Sequence, residues 1–188
     1  MITAYIDFKS LDCFLAISPI LKLANDFGTP VSWQPYRSEE RALPTEVASE
    51  SVTQTHNRVR AESERRLQQH YARLRGLHID PSRGQIDTSA ALEWLASLEG
   101  DTSSFVSRLF TAHWIDHTDI NDPTLLKELT AQCGLRRTVD AVDLSSIERE
   151  AEDKGLFDAP TFFIEGQMFI GRANIPLIQQ LLADGCDH

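Results

Sequence analysis

The sequence is poor in the features that settle a protein's class at a glance. Only three cysteines, Cys13, Cys133 and Cys186, are spread over 188 residues. An odd number at wide spacing outlines neither a disulfide framework nor a zinc cluster and fits reduced thiols in a reducing compartment. Hydrophobic residues make up 41% of the chain, yet no run of about 18 apolar residues exists to cross a bilayer. The opening "ITAYIDF" lacks the basic start, apolar segment and small-residue cleavage site of a secretory signal, so the expected location is cytoplasmic. Basic charge is scarce as well: 18 Lys and Arg against 28 Asp and Glu leave a formal net charge of -10. Nucleic acid and anionic membrane are therefore not expected as partners, because phosphate binding is driven by clustered cations. His56, His113 and His117 lack the further ligands of a metal site, so no metal is expected. Repeats and low-complexity segments are also absent.

What is present is a change of texture along the chain. Residues 2 to 8 alternate and are rich in Ile, Tyr and Phe, which reads as a strand. A helix follows at once, with Ser10 as its N-cap, Phe14, Ile17, Leu21 and Ala24 at helical spacing, and Pro19 inside it as a kink. After "GTP" the run "VSWQPY" forms a second strand, and strand-helix-strand of this length implies a parallel crossover. From about Thr45 to Gly76 the chain is polar and helical. Residues 41 to 76 hold seven Arg (41, 58, 60, 65, 66, 73, 75) against four Glu (46, 50, 62, 64), a basic stretch in an acidic protein. Further helices are expected around 88 to 99, 103 to 116, 123 to 132 and 138 to 154. "TFFI" and "QMFI" then read as a hairpin across Glu165-Gly166, and an amphipathic helix from about Asn174 closes the chain with Ile175, Leu177, Ile178, Leu181 and Leu182 on its apolar face. The expected class is α/β: a thioredoxin-like fold with a long helical insertion between the second strand and the hairpin. The corresponding domain boundaries are 1–40 with 150–188 for the thioredoxin-like part and 41–149 for the helical insertion.

Two loops can carry chemistry in such a layout. The first is "DFKSLDCFLA", where Ser10 stands at a helix N-terminus and can stabilise a thiolate through its hydroxyl and the helix dipole. Its simplest role is N-capping alone. Cys13 completes an S-x-x-C spacing, a C-x-x-C pair whose outer member has lost its sulfur, so it cannot close a disulfide with its neighbour. Mixed-disulfide chemistry at Cys13 remains open, opposed by the adjacent carboxylate of Asp12, which raises the thiol pKa. A buried, structural Cys13 is the competing reading. The second loop is "GLFDAPTFF". Pro160 cannot donate to a sheet ladder and must start the strand; a cis peptide after Ala159 makes that turn and exposes the N–H and C=O of Ala159 to a peptide-like ligand. An ordinary trans Pro at a strand start is the alternative.

"DFKS", the S-x-x-C spacing, "KGLFDAPTFFIEGQMFIGR", the terminal helix and "RLFTAHWIDHTDINDP" together resemble the DsbA-like branch of the thioredoxin superfamily. Within it the chain is similar to the 2-hydroxychromene-2-carboxylate isomerases and kappa-class glutathione transferases. The resemblance covers about 1 to 36 and 150 to 183, with the helical middle alike in kind and length. It implies that Ser10 occupies the place of the serine that hydrogen-bonds the sulfur of glutathione. Ala159 and Pro160 take the place of the cis-Pro element that pairs with the glutathione backbone, and Gly171, Arg172 and Ala173 fall where the family grips the γ-glutamyl end. Two departures stand out. Leu11-Asp12-Cys13 replaces Pro-Tyr-Ser, and Ala173 falls where an Asp commonly binds the γ-glutamyl amine, with Asn174 one position away. A homodimer is also implied.

Arg58, Arg65 and Arg66 can pair with Glu62 and its neighbours on a solvated helix face; Arg58 or Arg60 can instead hold a substrate or glutathione carboxylate by a bidentate contact. Three functions follow. The first is a glutathione-dependent isomerase or transferase acting on a small conjugated, aromatic-derived acid, with Ser10 activating the thiol. The second is a DsbA-like thiol-disulfide oxidoreductase using Cys13. The third is a non-catalytic thioredoxin-like module.

Overall fold

Two apolar strands laid side by side begin the structure, because β-branched and aromatic residues with few charges favour a buried sheet interior. A computed structural model describes residues 1–38 and 51–185. Strand β1 (Ile2–Ile6) runs parallel to β2 (Val31–Pro35), with Ile2 opposite Val31 and Ile6 opposite Pro35. Helix α1 (Leu11–Asp26) joins them and continues through Pro19. Its buried residues are Cys13, Leu15, Ala16, Ile17, Ile20 and Leu23, a broader face than the Phe14, Ile17, Leu21, Ala24 stripe expected from the spacing and turned toward Cys13. A short helix clasped between a sheet and other helices buries more than one stripe, and the moment of the sequence alone marks only its centre.

Between β2 and the hairpin the chain forms α2 (Val52–Leu74), α3 (Ser89–Ala96), β3 (Leu98–Glu99), α4 (Ser103–Trp114), α5 (Pro123–Gln132), β4 (Arg136–Arg137) and α6 (Leu144–Glu152). Packing separates two units: Met1–Ser38 with Asp80–His188, and Glu39–Ile79. In the second unit α2 opens with a capping box, Ser51 and Gln54 each bonding the other's backbone N–H, which satisfies two donors that a helix start leaves orphaned. The part of the expected helix at residues 45–50, with Arg41, Glu46 and Glu50 of the basic stretch, lies outside the described residues.

In the first unit α3, α4 and α6 pack against β2, and α4 also packs on α1. The joint between α4 and the loop after β1 is aromatic: the Trp114 indole N–H donates to the Phe8 carbonyl at 3.0 Å, and Phe14 stacks on both Phe110 and Trp114. The helix expected over 138–154 begins only at Leu144. Asp143 caps it through the N–H groups of Ser145 and Ser146, and Arg136–Arg137 before it pairs antiparallel with Leu98–Glu99. Two-residue strands carry no periodicity to be seen in advance; here Arg137 supplies the glue, its guanidinium 4.1 Å from the Trp94 ring centroid and its Nε donating to Ser97 Oγ.

The chain returns as β5 (Thr161–Ile164) and β6 (Gln167–Ile170), completing a four-stranded sheet in the order β2-β1-β5-β6, with β5 antiparallel to β1. The turn at Glu165 and Gly166 has φ of 52° and 79°, positive at both positions as a two-residue hairpin turn requires. After a 3-10 turn at Arg172–Asn174 comes α7 (Ile175–Gly185), which packs on α1 and buries Ile175, Ile178 and Leu182 while Leu177 faces solvent. Strand-helix-strand followed by hairpin-helix is the expected thioredoxin-like layout.

One buried histidine ties the middle helices to the loop before α3. His113 Nε2 lies 2.9 Å from the Arg83 carbonyl, which can only accept, so this nitrogen carries the proton; Nδ1 then accepts from Arg83 Nη2 at 3.3 Å. Burial, with the Arg83 guanidinium alongside, lowers the His113 pKa to about 4. A histidine held neutral in the fold contributes stability that is complete above its unfolded pKa near 6.5 and is lost as pH falls toward 4. The stability advantage of the protein over His113→Gln should therefore shrink by up to about 1.4 kcal/mol per pH unit across that window, as measured by urea unfolding at pH 7, 5.5 and 4.

Candidate active site

The residues expected to form a site meet where α1 begins. Ser10 is the N-cap of α1: its Oγ accepts from the Cys13 N–H at 3.2 Å and donates to the Ala159 carbonyl at 3.5 Å. The Ala159–Pro160 peptide is cis. The Pro160 carbonyl accepts from the Gly171 N–H at 2.7 Å, and Arg172 reaches back to α1, its Nε 3.4 Å from Asp12 Oδ1. Ser10, Ala159, Pro160, Gly171, Arg172 and Asp12 thus form a closed circuit of contacts linking the first loop, the cis-Pro loop and the turn before α7. Gly171 has φ 81° and ψ 156°, a backbone state that costs any other residue dearly. Asn174 stands at the edge of this circuit and donates from Nδ2 to the Ile170 carbonyl.

The Ala159 backbone is not bare. Its N–H donates to the Asp158 carboxylate at 2.9 Å, so both polar groups expected to face a ligand have an internal partner.

Cys13 is fully buried, its sulfur accepting from the Asp7 N–H at 3.5 Å. Burial pushes the Cys13 thiol far above the ordinary cysteine range, and the charges of Asp7 and Asp12 act in the same direction; the hydrogen bonds from Ser10 and Asp7 oppose them. The thiolate is the reactive form, so this placement weighs against Cys13 as an attacking sulfur. Arg58 and Arg60 belong to the second unit, where they pair along α2 with Glu62 at 3.2 Å and Glu64 at 3.0 Å. Among the described residues no group of His, Cys, Asp and Glu is placed to hold a metal ion, and no helix is long and apolar enough to cross a membrane.

The residue that sequence reasoning missed is Asp7. Its carboxylate is inaccessible to solvent and accepts from the Lys9 N–H at 3.2 Å, the Ser38 N–H at 2.8 Å, the Ser38 hydroxyl at 2.9 Å and the Thr88 hydroxyl at 2.5 Å. An ionisable residue ending a strand whose other side chains are nearly all buried was the available signal, since a charge there needs several donors.

The DSBA-like thioredoxin domain matches residues 1–183. The chain belongs to that family. Among solved structures this DSBA-like protein is similar to a 2-hydroxychromene-2-carboxylate isomerase, with a TM-score of 0.70 and 17% identity over 98% of this chain and 95% of that one. It is also similar to the cytosolic disulfide reductase DsbM from Pseudomonas aeruginosa with GSH, with a TM-score of 0.60 and 16% identity over 100% and 99% of the two chains. At such identities the likeness is one of fold. No curated protein matches in sequence. In this DSBA-like domain the α1 N-terminus presents a hydroxyl beside the Ala159 carbonyl that precedes the cis proline, and keeps its thiol inside.

Two measurements check the geometry. Asp7→Ala leaves the Ser38, Lys9 and Thr88 donors short of an acceptor and should lower unfolding free energy by about 3 kcal/mol in urea. At pH 7 Cys13 should react with iodoacetamide far more slowly than an unhindered thiol and become labelled at a normal rate only in denaturant, as followed by mass spectrometry.

Proposed function

We propose that the protein is a glutathione-dependent isomerase or transferase acting on a small conjugated, aromatic-derived acid. The observation that carries the reading is the Ser10 hydroxyl, fixed at the α1 N-terminus and facing the Ala159 carbonyl, just before the cis proline, across 3.5 Å, with Cys13 withdrawn into the core. The chain's residues suit the cofactor in kind: a hydroxyl and helix N-terminus for a sulfur anion, the Ala159 backbone for a peptide unit, and Arg172 for a carboxylate. When bound there, glutathione supplies a thiolate nucleophile for an electrophilic carbon of the acid.

The rest is done by the protein. The contact from Ser10 Oγ to Ala159 is at the limit of a hydrogen bond, so its proton can turn to a stronger acceptor at little cost. A sulfur anion is such an acceptor, and the short bond it receives is charge-assisted. The Cys13 N–H holds the oxygen while its proton turns. The positive end of α1, a helix of 16 residues, adds stabilisation that falls off within the first turn.

The reading carries with it a cytoplasmic setting, supported by the free thiols of Cys13 and Cys133, and a homodimer, supported by the family resemblance. One observation favours a second reading, a non-catalytic module: the internal partners of Ala159 and Arg172 leave the circuit satisfied without a ligand. Glutathione binding separates the two. Under the enzymatic reading glutathione raises the melting temperature and binds saturably, and Ser10→Ala lowers the rate of glutathione addition to an activated aromatic electrophile by about 100-fold, the scale of removing one preorganised donor. No thermal shift and an unchanged rate in Ser10→Ala favour the module.

A further inference from the structure

The loop after β1 carries a lysine whose charge lacks a hydrogen-bonding partner. The Asp7 carbonyl accepts from the Ser10 N–H at 3.1 Å, closing a tight turn over Asp7, Phe8, Lys9 and Ser10. Lys9 stands in that turn directly before the Ser10 hydroxyl. Its carbonyl is packed against the chain at Gly84, where an added Cβ would come within 3.4 Å of the Lys9 oxygen. The Lys9 side chain is 20% exposed, and its ammonium lies 3.9 Å from Asp7 Oδ2, beyond hydrogen-bonding distance.

Asp7 has no site left to offer it. A carboxylate has about four lone-pair positions, and on Asp7 four other donors take them: the Lys9 N–H and Thr88 hydroxyl on Oδ1, the Ser38 N–H and hydroxyl on Oδ2. Asp87, whose charge also feels Lys9, turns its Oδ1 to the N–H and hydroxyl of Ser89. Arg83, Arg137 and Arg172, by contrast, each donate to an oxygen at 3.4 Å or less. Among the described residues the Lys9 ammonium, with three donors, meets no oxygen acceptor at hydrogen-bonding distance. The sheet gives this cation a direction. In the order β2-β1-β5-β6, Ser10 Oγ faces Ala159, two residues before β5, while the Lys9 ammonium lies beside the Asp7 oxygen held by Ser38, on the side of β2. Neighbouring strands stand about 4.8 Å apart. A sulfur seated at Ser10 therefore has a backbone for a peptide on one side and a cation on the other.

Resting on the glutathione-dependent reading above, the geometry points to Lys9 as the seat for the carboxylate of the electrophile, the residue that selects an acidic aromatic partner for the thiolate at Ser10. The carboxylate brings the oxygen acceptors that the ammonium lacks, and a charge-assisted bond formed in a partly covered place is stronger than one on an open surface. The ring of such an acid spans the gap between the reacting carbon at the sulfur and the carboxylate at Lys9. A rival role is purely structural: Lys9 would do no more than offset the charge of Asp7. The two differ in what the loss of the ammonium does, because a seat matters only to a ligand with a carboxylate, whereas a support for Asp7 matters to every ligand alike.

The test is isothermal titration of glutathione and of two aryl conjugates that differ by one group, S-(4-carboxy-2,6-dinitrophenyl)glutathione and S-(2,6-dinitrophenyl)glutathione. The unaltered protein should bind the carboxylated conjugate on the order of tenfold more tightly than the other, the worth of one charge-assisted contact. Lys9→Gln should erase that preference by weakening the carboxylated conjugate alone, and Lys9→Arg should keep most of it. No preference in the unaltered protein, or a preference that survives Lys9→Gln, overturns the seat and leaves the glutathione-dependent reading standing. Equal losses for the two conjugates in Lys9→Gln, with a lowered urea midpoint, assign Lys9 to the support of Asp7 and overturn the seat as well. Binding of glutathione with both conjugates refused has the same consequence. If neither glutathione nor a conjugate binds the unaltered protein, the seat and the glutathione-dependent reading fall together.

Discussion

A single buried carboxylate sets the geometry of the functional end. Taking a carboxylate such as Asp7 out of water is expensive, and here the backbone and hydroxyl of Ser38, the Lys9 N–H, the Thr88 hydroxyl and, at 3.9 Å, the Lys9 ammonium converge on it. Those donors come from three places: the loop after β1, the stretch after β2, and the N-cap of α3. Asp7 also uses its backbone on the other side, donating to Cys13 Sγ and accepting from the Ser10 N–H at 3.1 Å. The position of Ser10 is thus set from both directions, by α1 ahead of it and by an anchored Asp7 behind it. Fixing a hydroxyl this way removes rotamer and backbone freedom before any ligand arrives, which is the condition for a preorganised donor.

From that anchor the contact circuit follows. The antiparallel pairing of β5 with β1 brings the cis-Pro loop beside the α1 N-terminus, and the bond from Gly171 to Pro160 carries the turn before α7 to the same place. Each joint is a single hydrogen bond or ion pair, individually worth about 1 kcal/mol, strung between elements held by the apolar core. The elements carrying the circuit are therefore held by the core, while the polar joints between them are individually weak.

Much of this was legible from the chain. The alternation in "ITAYIDF", the N-cap Ser10, the Glu165-Gly166 turn and the Ala159–Pro160 step each carry a local physical cause, and local causes survive folding. Within the quoted "RLFTAHWIDHTDINDP", Phe110 and Trp114 are where α4 meets the loop after β1. What was not legible depends on partners distant in sequence. Nothing around Asp7 announces Thr88, 81 residues away, and nothing around Asp12 announces Arg172, 160 residues away. The β3 and β4 pair escaped because two residues show no period, and the late start of α6 was hidden behind it. Sequence reasoning treated Asp12 as a departure, and its ion-pair partner lies at the other end of the chain.

The fork between Arg37 and Glu148 has an evolutionary meaning. It grips the chain at the last turn before residues 39–79 leave the first unit, and Ser38 on Asp7 doubles the grip; on the return side, Asp80 accepts from the Ser82 N–H and starts a 3-10 turn. With both ends of the excursion moored, its length and charge can drift without pulling on Ser10. A segment moored in this way can be altered by mutation while the hydrogen bonds at its two attachment points persist.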